Sequence, residues 1–202
     1  MVAIFKSTGG KAKAVSADVS KPTESKQLVD AAVGEFGRLD ILVNNAAVYD
    51  FLALPDITEV HFDRIFDLNV KGPMFATQAA ANAMDGQGGS VVNIGSIASV
   101  QAPPGASVYS ASKGAVEALT GSLAAELGPR GILGNAVLPG PVDTEGNRAM
   151  AAADEINAAF LARTPLGRIG QPHDIATVVS FLVSPEAGWI TGQIIQAAGG
   201  LR

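Results

Sequence analysis

The sequence predicts an α/β fold on a mostly parallel sheet, and three observations carry that prediction. Strand-like apolar runs alternate with helix-period segments along the 202 residues. Two of the runs, Ile41-Leu42-Val43 and Ser90-Val91-Val92-Asn93-Ile94, have the character of strands covered on both faces. Finally, Asp18, Asn44, Ser96 and Pro139-Gly140 each follow directly on a predicted strand. In parallel sheets ligands bind beyond the carboxyl ends of the strands, so these residues are expected on one rim.

In chain order, Lys13-Ala14-Val15-Ser16-Ala17 is the first strand candidate, after a Gly9-Gly10 turn. A helix opens near Pro22, where proline suits a first turn. Leu28, Val29, Ala32, Val33 and Phe36 recur at helical spacing, and Gly37 closes the helix. The strand at 41–43 ends in Asn44-Asn45-Ala46-Ala47. Thr58 caps the next helix, whose apolar face carries Phe62, Ile65, Phe66 and Val70. Pro73 is expected to kink or split it, with the second part running to Met84. A glycine-rich turn leads to the strand at 90–94, and a long helix covers 107–127 until Gly128-Pro129-Arg130-Gly131 stops it. The strand at 132–138 contains Gly134, which costs roughly 0.5–1 kcal/mol in a strand interior. Residues 143–163 are polar and alanine-rich with a weak helical period, and read as a mobile helical flap. Pro172 opens a last helix with Ile175, Val178, Val179 and Leu182 on its apolar face, and 193–196 is a last strand. No repeat or linker interrupts the chain, so residues 1–202 are read as one domain.

A composition 48% hydrophobic and 16% charged is that of a globular chain rather than a disordered one. The net charge of −5 and the lack of a basic cluster argue against nucleic acid or an anionic membrane as partner. Without cysteine there is neither a disulfide nor a thiolate metal site, and no His/Asp/Glu cluster suggests a metal. No apolar run reaches the ~20 residues that span a bilayer, and the N-terminal run is too short for a signal peptide; the expected location is cytoplasmic.

Tyr109 and Lys113 are four apart on a predicted helix and share one face. A phenol with a reference pKa of about 10 is a poor base at neutral pH. A nearby ammonium favours the phenolate, which makes the pair a candidate general acid–base. Ser96, at a strand end, is suited to hydrogen-bonding a substrate oxygen. A bare Tyr-x-x-x-Lys is more often an amphipathic helix with a snorkelling tyrosine and a solvated lysine. A serine hydrolase built on Ser96 has little support, because no Gly-x-Ser-x-Gly elbow surrounds it. His61 is read as lying on a partly exposed helix face and His173 in a first turn.

Taken together, Asn44-Asn45-Ala46-Ala47, Asn69-Val70, Ser96, Tyr109-Ser110-Ala111-Ser112-Lys113 and Asn135-Ala136-Val137-Leu138-Pro139-Gly140 resemble, in order and spacing, the short-chain dehydrogenase/reductase family. Pro165-Leu166-Gly167-Arg168, Asp174-Ile175-Ala176, Ile190-Thr191-Gly192 and Gly199-Gly200 extend the resemblance over essentially the whole chain. Val142-Asp143-Thr144-Glu145-Gly146 and the ending Gly199-Gly200-Leu201-Arg202 are most similar to bacterial members of the glucose 1-dehydrogenase and 3-oxoacyl-carrier-protein reductase kind. The resemblance implies a Rossmann-like, doubly wound sheet with helices on both faces. It also implies NAD or NADP as cofactor, a small carbonyl or secondary-alcohol substrate, and a homotetramer or homodimer.

Carried over residue by residue, Tyr109 resembles the proton donor and acceptor. Lys113 would lower its pKa and bind the nicotinamide ribose, Ser96 would orient the substrate oxygen, and Asn69 would kink its helix and hold a relay water. Asp18 and Val19 resemble the adenine contacts, although an aspartate there equally suits a helix cap. Asn44 and Ala46 resemble contacts near the adenosine ribose. Pro139, Gly140, Val142 and Thr144 resemble the loop along the nicotinamide.

The chain departs from the family at Ala47, Gly95 and Leu133-Gly134, none of which touches the acid–base set. The larger departure is the family's opening strand, Thr-Gly-x-x-x-Gly-x-Gly turn, helix and second strand, which nothing here matches. By resemblance roughly 45–50 residues of a longer gene product would precede this chain, about a βαβ unit and a helix. Given the family's strand order 3-2-1-4-5-6-7, the strands at 13–17 and 41–43 would then lie about 14 Å apart, three spacings of ~4.8 Å. The pyrophosphate would lose its helix N-terminus, and the cue separating NAD from NADP would be missing. The expected activity is NAD(P)-dependent hydride transfer to or from a carbonyl or alcohol carbon. The alternative is a catalytically silent binding or assembly subunit.

Overall fold

The structure, a computed structural model, describes residues 7, 9–84, 86–148 and 158–201. Its sheet has four strands in the order β1 (Ile41–Asn44), β2 (Gly89–Ile94), β3 (Ile132–Pro139) and β4 (Ile194–Ala197). All three pairings are parallel, with Val43 opposite Val92, Val92 opposite Asn135, and Val137 opposite Ile195. The carboxyl ends of the strands therefore share one rim, as the alternating pattern predicts.

Helices cover both faces, and successive residues of β2 show the division. Val91 packs with Val29 of α1 (Pro22–Phe36), Ala80 and Ala81 of α3 (Gly72–Ala83) and Leu127 of α5 (Ser107–Leu127). Val92, on the opposite face, packs with Val137 and with Leu182 of α7 (Pro172–Leu182). Burying each of these valine and leucine side chains contributes about 1.5–3 kcal/mol. The α7 entry is locked by Asp174, which accepts from Gln171 N at 2.7 Å and from both terminal nitrogens of Arg168 at 2.6 and 2.8 Å. Arg168 holds this carboxyl well below the usual carboxylate range.

Three sequence expectations are corrected. Residues 13–17 form no strand, and Val15 is exposed. A strand of this kind is stabilised by a neighbour's ladder, and 13–17 pairs with no described strand. Second, β1 is not covered on both faces. Leu42 packs in the core, but Ile41 and Val43 are 42% and 41% exposed, because α7 lies over β2, β3 and β4 and does not reach β1. Third, the helix over 58–84 is divided before Pro73. A π-helical turn at Asp67–Lys71 separates α2 (Glu59–Phe66) from α3, and Pro73 sits harmlessly in the first turn of α3. Gly134 faces α5, where a Cβ would meet Ala124 at an ordinary contact distance of 3.6 Å.

Candidate active site

Ser96 follows β2 and precedes the short helix α4 (Ala98–Gln101). Its Oγ accepts from Ala98 N at 3.1 Å, which fixes the hydroxyl at the rim. Helix α5 packs on the sheet and brings Tyr109 and Lys113 to the same place. The Ser96 hydroxyl stands beside the half-buried Tyr109 phenol and favours its ionised form. Lys113 is only 3% exposed; its Nζ donates to the carbonyl of Ile94 at 2.8 Å and stands 5.8 Å from the Tyr109 ring centroid. The solvated lysine of an ordinary amphipathic helix is therefore not what the fold contains.

The electrostatics correct another expectation. Burial pushes the Tyr109 phenol up, the Ser96 hydroxyl beside it works against that rise, and the Tyr49 phenol adds to it. Burial also pushes the Lys113 ammonium down to about 8. Lys113 does not draw the tyrosine down here, because it donates to a main-chain carbonyl and desolvation dominates both groups.

Asn69 lies in the π-helical turn and is 1% exposed. Its Oδ1 accepts from Val48 N at 2.9 Å; its Nδ2 donates to Val48 O at 2.9 Å and to Ser112 Oγ at 3.1 Å. Ser112 Oγ in turn donates to the Tyr109 carbonyl at 2.7 Å. The asparagine thus clasps the loop after β1 to the turn of α5 that carries the tyrosine.

The remaining predicted residues fall along the same rim. Asn44 Nδ2 points inward, donating to Asn93 Oδ1 at 2.8 Å and Thr77 Oγ1 at 3.1 Å, while Ala46 is exposed. Asp18 is exposed and ties its own turn: Oδ1 accepts from Ser20 N at 3.1 Å and Ser20 Oγ at 2.6 Å, which holds its carboxyl low. Asp18 also borders a cavity of about 290 Å³ with Ser20, Val48, Arg64, Asp67 and Leu68. The Val19 carbonyl accepts from Ser25 Oγ at 3.2 Å and lies so near α3 that a Cβ at Gly72 would stand 3.1 Å from it. Pro139 ends β3, and Gly140 is obligatory, since a Cβ there would lie 2.8 Å from the Ala198 Cα. Val142 is 7% exposed and bridges to Gly170, so its side chain packs inward. Thr144 Oγ1 accepts from Asn147 N at 3.2 Å and caps α6 (Glu145–Arg148). Of the flap expected at 143–163, residues 149–157 lie outside the described residues. Its far end is clasped to α4 by Arg163, which donates to Gln101 Oε1 at 2.7 Å.

Sequence reasoning missed Tyr49 and Phe51. Tyr49 stands edge-on to Tyr109 at 6.3 Å and 73°, and Phe51 at 5.9 Å and 82°. A Tyr-x-Phe just beyond the strand-ending Asn44, in a chain with two tyrosines in all, was the available signal. It also misplaced His61, which is buried at 8% exposure with Nε2 3.2 Å from the Asp50 carbonyl. Among the described residues no group of three or more His, Asp or Glu could hold a metal, and no helix is long and apolar enough to cross a membrane.

A family model described as enoyl-(acyl carrier protein) reductase matches residues 2–202. An uncharacterized oxidoreductase of Methylorubrum extorquens is 52% identical over 100% of this chain and 82% of its own length. An L-rhamnose 1-dehydrogenase (NAD(P)(+)) of Sphingomonas sp. is 38% identical over 99% of this chain and 80% of its own. Among solved structures, a short chain dehydrogenase from Burkholderia cenocepacia J2315 in complex with NADP superposes with a TM-score of 0.91 at 38% identity. That match covers 99% of this chain and 80% of the other.

Proposed function

From the premise that the chain belongs to the short-chain dehydrogenase/reductase family, we propose that it is an NAD(P)-dependent oxidoreductase acting on a carbonyl or secondary alcohol, with Tyr109 as general acid–base. The observation that carries this reading is the Tyr109 phenol standing beside the Ser96 hydroxyl and the buried Lys113 amine at the carboxyl rim of a parallel sheet.

The residues present fit the two ends of a nicotinamide dinucleotide. One N–H of Lys113 is taken by Ile94, which leaves donors for ribose hydroxyls. Asp18 borders a cavity suited to an adenine amino group, with Val19 next to it in the chain and Asn44 and Ala46 shortly before Val48, which lines the same cavity. Pro139, Gly140, Val142 and Thr144 are the proposed wall along the nicotinamide. NAD and NADP are both compatible with this set.

The bound dinucleotide supplies a hydride to the carbonyl carbon, so that with a proton on oxygen C=O becomes CH–OH; oxidation is the reverse. Ser96 hydrogen-bonds the substrate oxygen and sets it against Tyr109. Tyr109 Oη gives that oxygen its proton in reduction and takes it back in oxidation. The raised pKa of the buried phenol keeps the proton in place until the oxygen needs it. Lys113, charged below about pH 8, holds the ribose hydroxyls, and the turn carrying Asn69 leads the replacement proton in. The segment 143–163 is proposed to close over the substrate.

The test is NADPH- and NADH-dependent turnover of the 202-residue chain against a ketone panel, with Tyr109→Phe as control. Turnover lost in the variant with dinucleotide binding kept supports the assignment; equal turnover in the variant sinks it. The rival reading is a silent binding or assembly subunit, favoured by the uncovered face of β1. Dinucleotide binding without turnover of any ketone would select it. Exposed Leu54, Val60 and Trp189, at 80%, 79% and 99%, support a homotetramer or homodimer, checked by light scattering.

A further inference from the structure

Large aromatics next to an acid–base group are usually packed away, yet two here are left open. Tyr49 and Phe51 stack on each other at 6.1 Å and 28°, remain 37% and 47% exposed, and both set an edge contact with Tyr109. In a chain that is 5% aromatic, three of its rings meet where the chemistry is proposed.

The loop that carries the pair is held rigidly. Val48 is clasped through both main-chain groups by Asn69. The Asp50 carbonyl meets His61 Nε2 at 3.2 Å, and Leu52 N donates to Gly105 O at 3.0 Å. Alternate residues are thus tied to the body of the protein, and the residues between them present their rings. Across the mouth, a Cβ at Gly146 would lie 2.5 Å from the Tyr49 hydroxyl, so the absence of a side chain there makes room for the phenol against α6.

We propose that Tyr49 and Phe51 are specificity-determining residues, a preorganised wall that takes a flat conjugated ring of the substrate, so that the preferred substrate is a ketone fused to or borne on an aromatic ring. The proposal deepens the oxidoreductase reading and rests on it. Ring faces and edges attract each other beyond simple area burial, and a wall fixed before binding loses little entropy when the ligand arrives. A wall that merely excludes water would favour aromatic and saturated rings alike.

That difference is the test. The probes are 2-tetralone and 2-decalone, fused bicyclic ketones that differ in having one ring aromatic or saturated. With wild type, kcat/KM is expected to favour 2-tetralone by about tenfold, the size of a good aromatic contact. In the Tyr49→Leu/Phe51→Leu double variant the ratio of the two kcat/KM values should fall to near one, chiefly through a higher KM for 2-tetralone. Tyr49→Phe, which keeps the ring, should retain it. Calorimetric titration with 2-naphthol gives a readout independent of turnover, and circular dichroism confirms that each variant is folded. Equal use of both ketones by wild type, survival of the preference in the double variant, or an equal loss on both probes would each overturn the wall. Naphthol binding abolished by the double substitution, without turnover of either ketone, would uphold the wall and overturn the oxidoreductase reading. Absence of both binding and turnover would overturn the wall.

Discussion

Strands β1 and β3 are both apolar, both parallel and both end at the rim, yet they live in different surroundings. In β3 the residues Ile132, Ala136, Val137 and Leu138 are all 0% exposed, with α5 on one face and α7 on the other. In β1, Leu42 and Asn44 face the covered side, while Ile41 and Val43 face outward. The rim above them divides the same way. In the acid–base half Lys113 is buried, Ser96 and Tyr109 are half-buried, and Ser96 and Lys113 are tied to main-chain groups. The half proposed for adenosine, Asp18 and Ala46, is exposed. Burial rather than apolar sequence therefore separates a preorganised site from a loosely built one.

The sharpest way to test that division is Tyr109→Phe. Removing one hydroxyl from the acid–base half should cost about 10³-fold in kcat, read from NADPH oxidation, with the fold unchanged by circular dichroism. Next in size is the pH response of Lys113. Its folded pKa, about 8, lies below the ordinary value of 10.5, so between these pH values the unfolded chain binds the extra proton. Stability should therefore rise with pH across that window, by on the order of 3 kcal/mol. Urea midpoints of Lys113→Met should lack the rise; a parallel rise in the variant would disprove the attribution.

Asn69→Ala should lower stability by about 2 kcal/mol, because the Val48 amide and carbonyl lose their clasp. It should also weaken the ring preference, since the loop bearing Tyr49 and Phe51 is released. The smallest effect tests the strands directly. Val137→Thr places a hydroxyl in the closed core and should cost about 1–3 kcal/mol. The same change at Val43 should stay within about 0.5 kcal/mol. Similar urea midpoints for the two variants would mean that β1 is as covered as β3.

Much of this was legible in the residues. Pro22 and Gly37 bracket α1, Thr58 caps α2, and Pro172 opens α7, because caps and first turns are local chemistry written within a few residues. The placement of Asn44, Ser96 and Pro139 on one rim followed from strand alternation, since parallel strands put all their carboxyl ends on one side. The residues at 13–17 misled because strand propensity is completed only by a partner, and the pairing partner is a non-local fact. The residue pattern points to Pro73 for the kink and the family resemblance to Asn69; the π-helical turn contains Asn69, whose bonds to Val48 and Ser112 reach 21 and 43 residues away.

The sequence by itself determined the α/β class, both ends of α1, the starts of α2 and α7, and which side chains could carry acid–base chemistry, because those depend on local periodicity and on functional groups. Only the tertiary structure decided that Lys113 is buried against Ile94 rather than solvated, and that burial is the largest influence on Tyr109. It also decided that Tyr49 and Phe51 stand at the site and that one face of β1 is open. Each of these is a question of what lies next to a residue from far along the chain, and the energies of desolvation and ring contact are fixed by those neighbours.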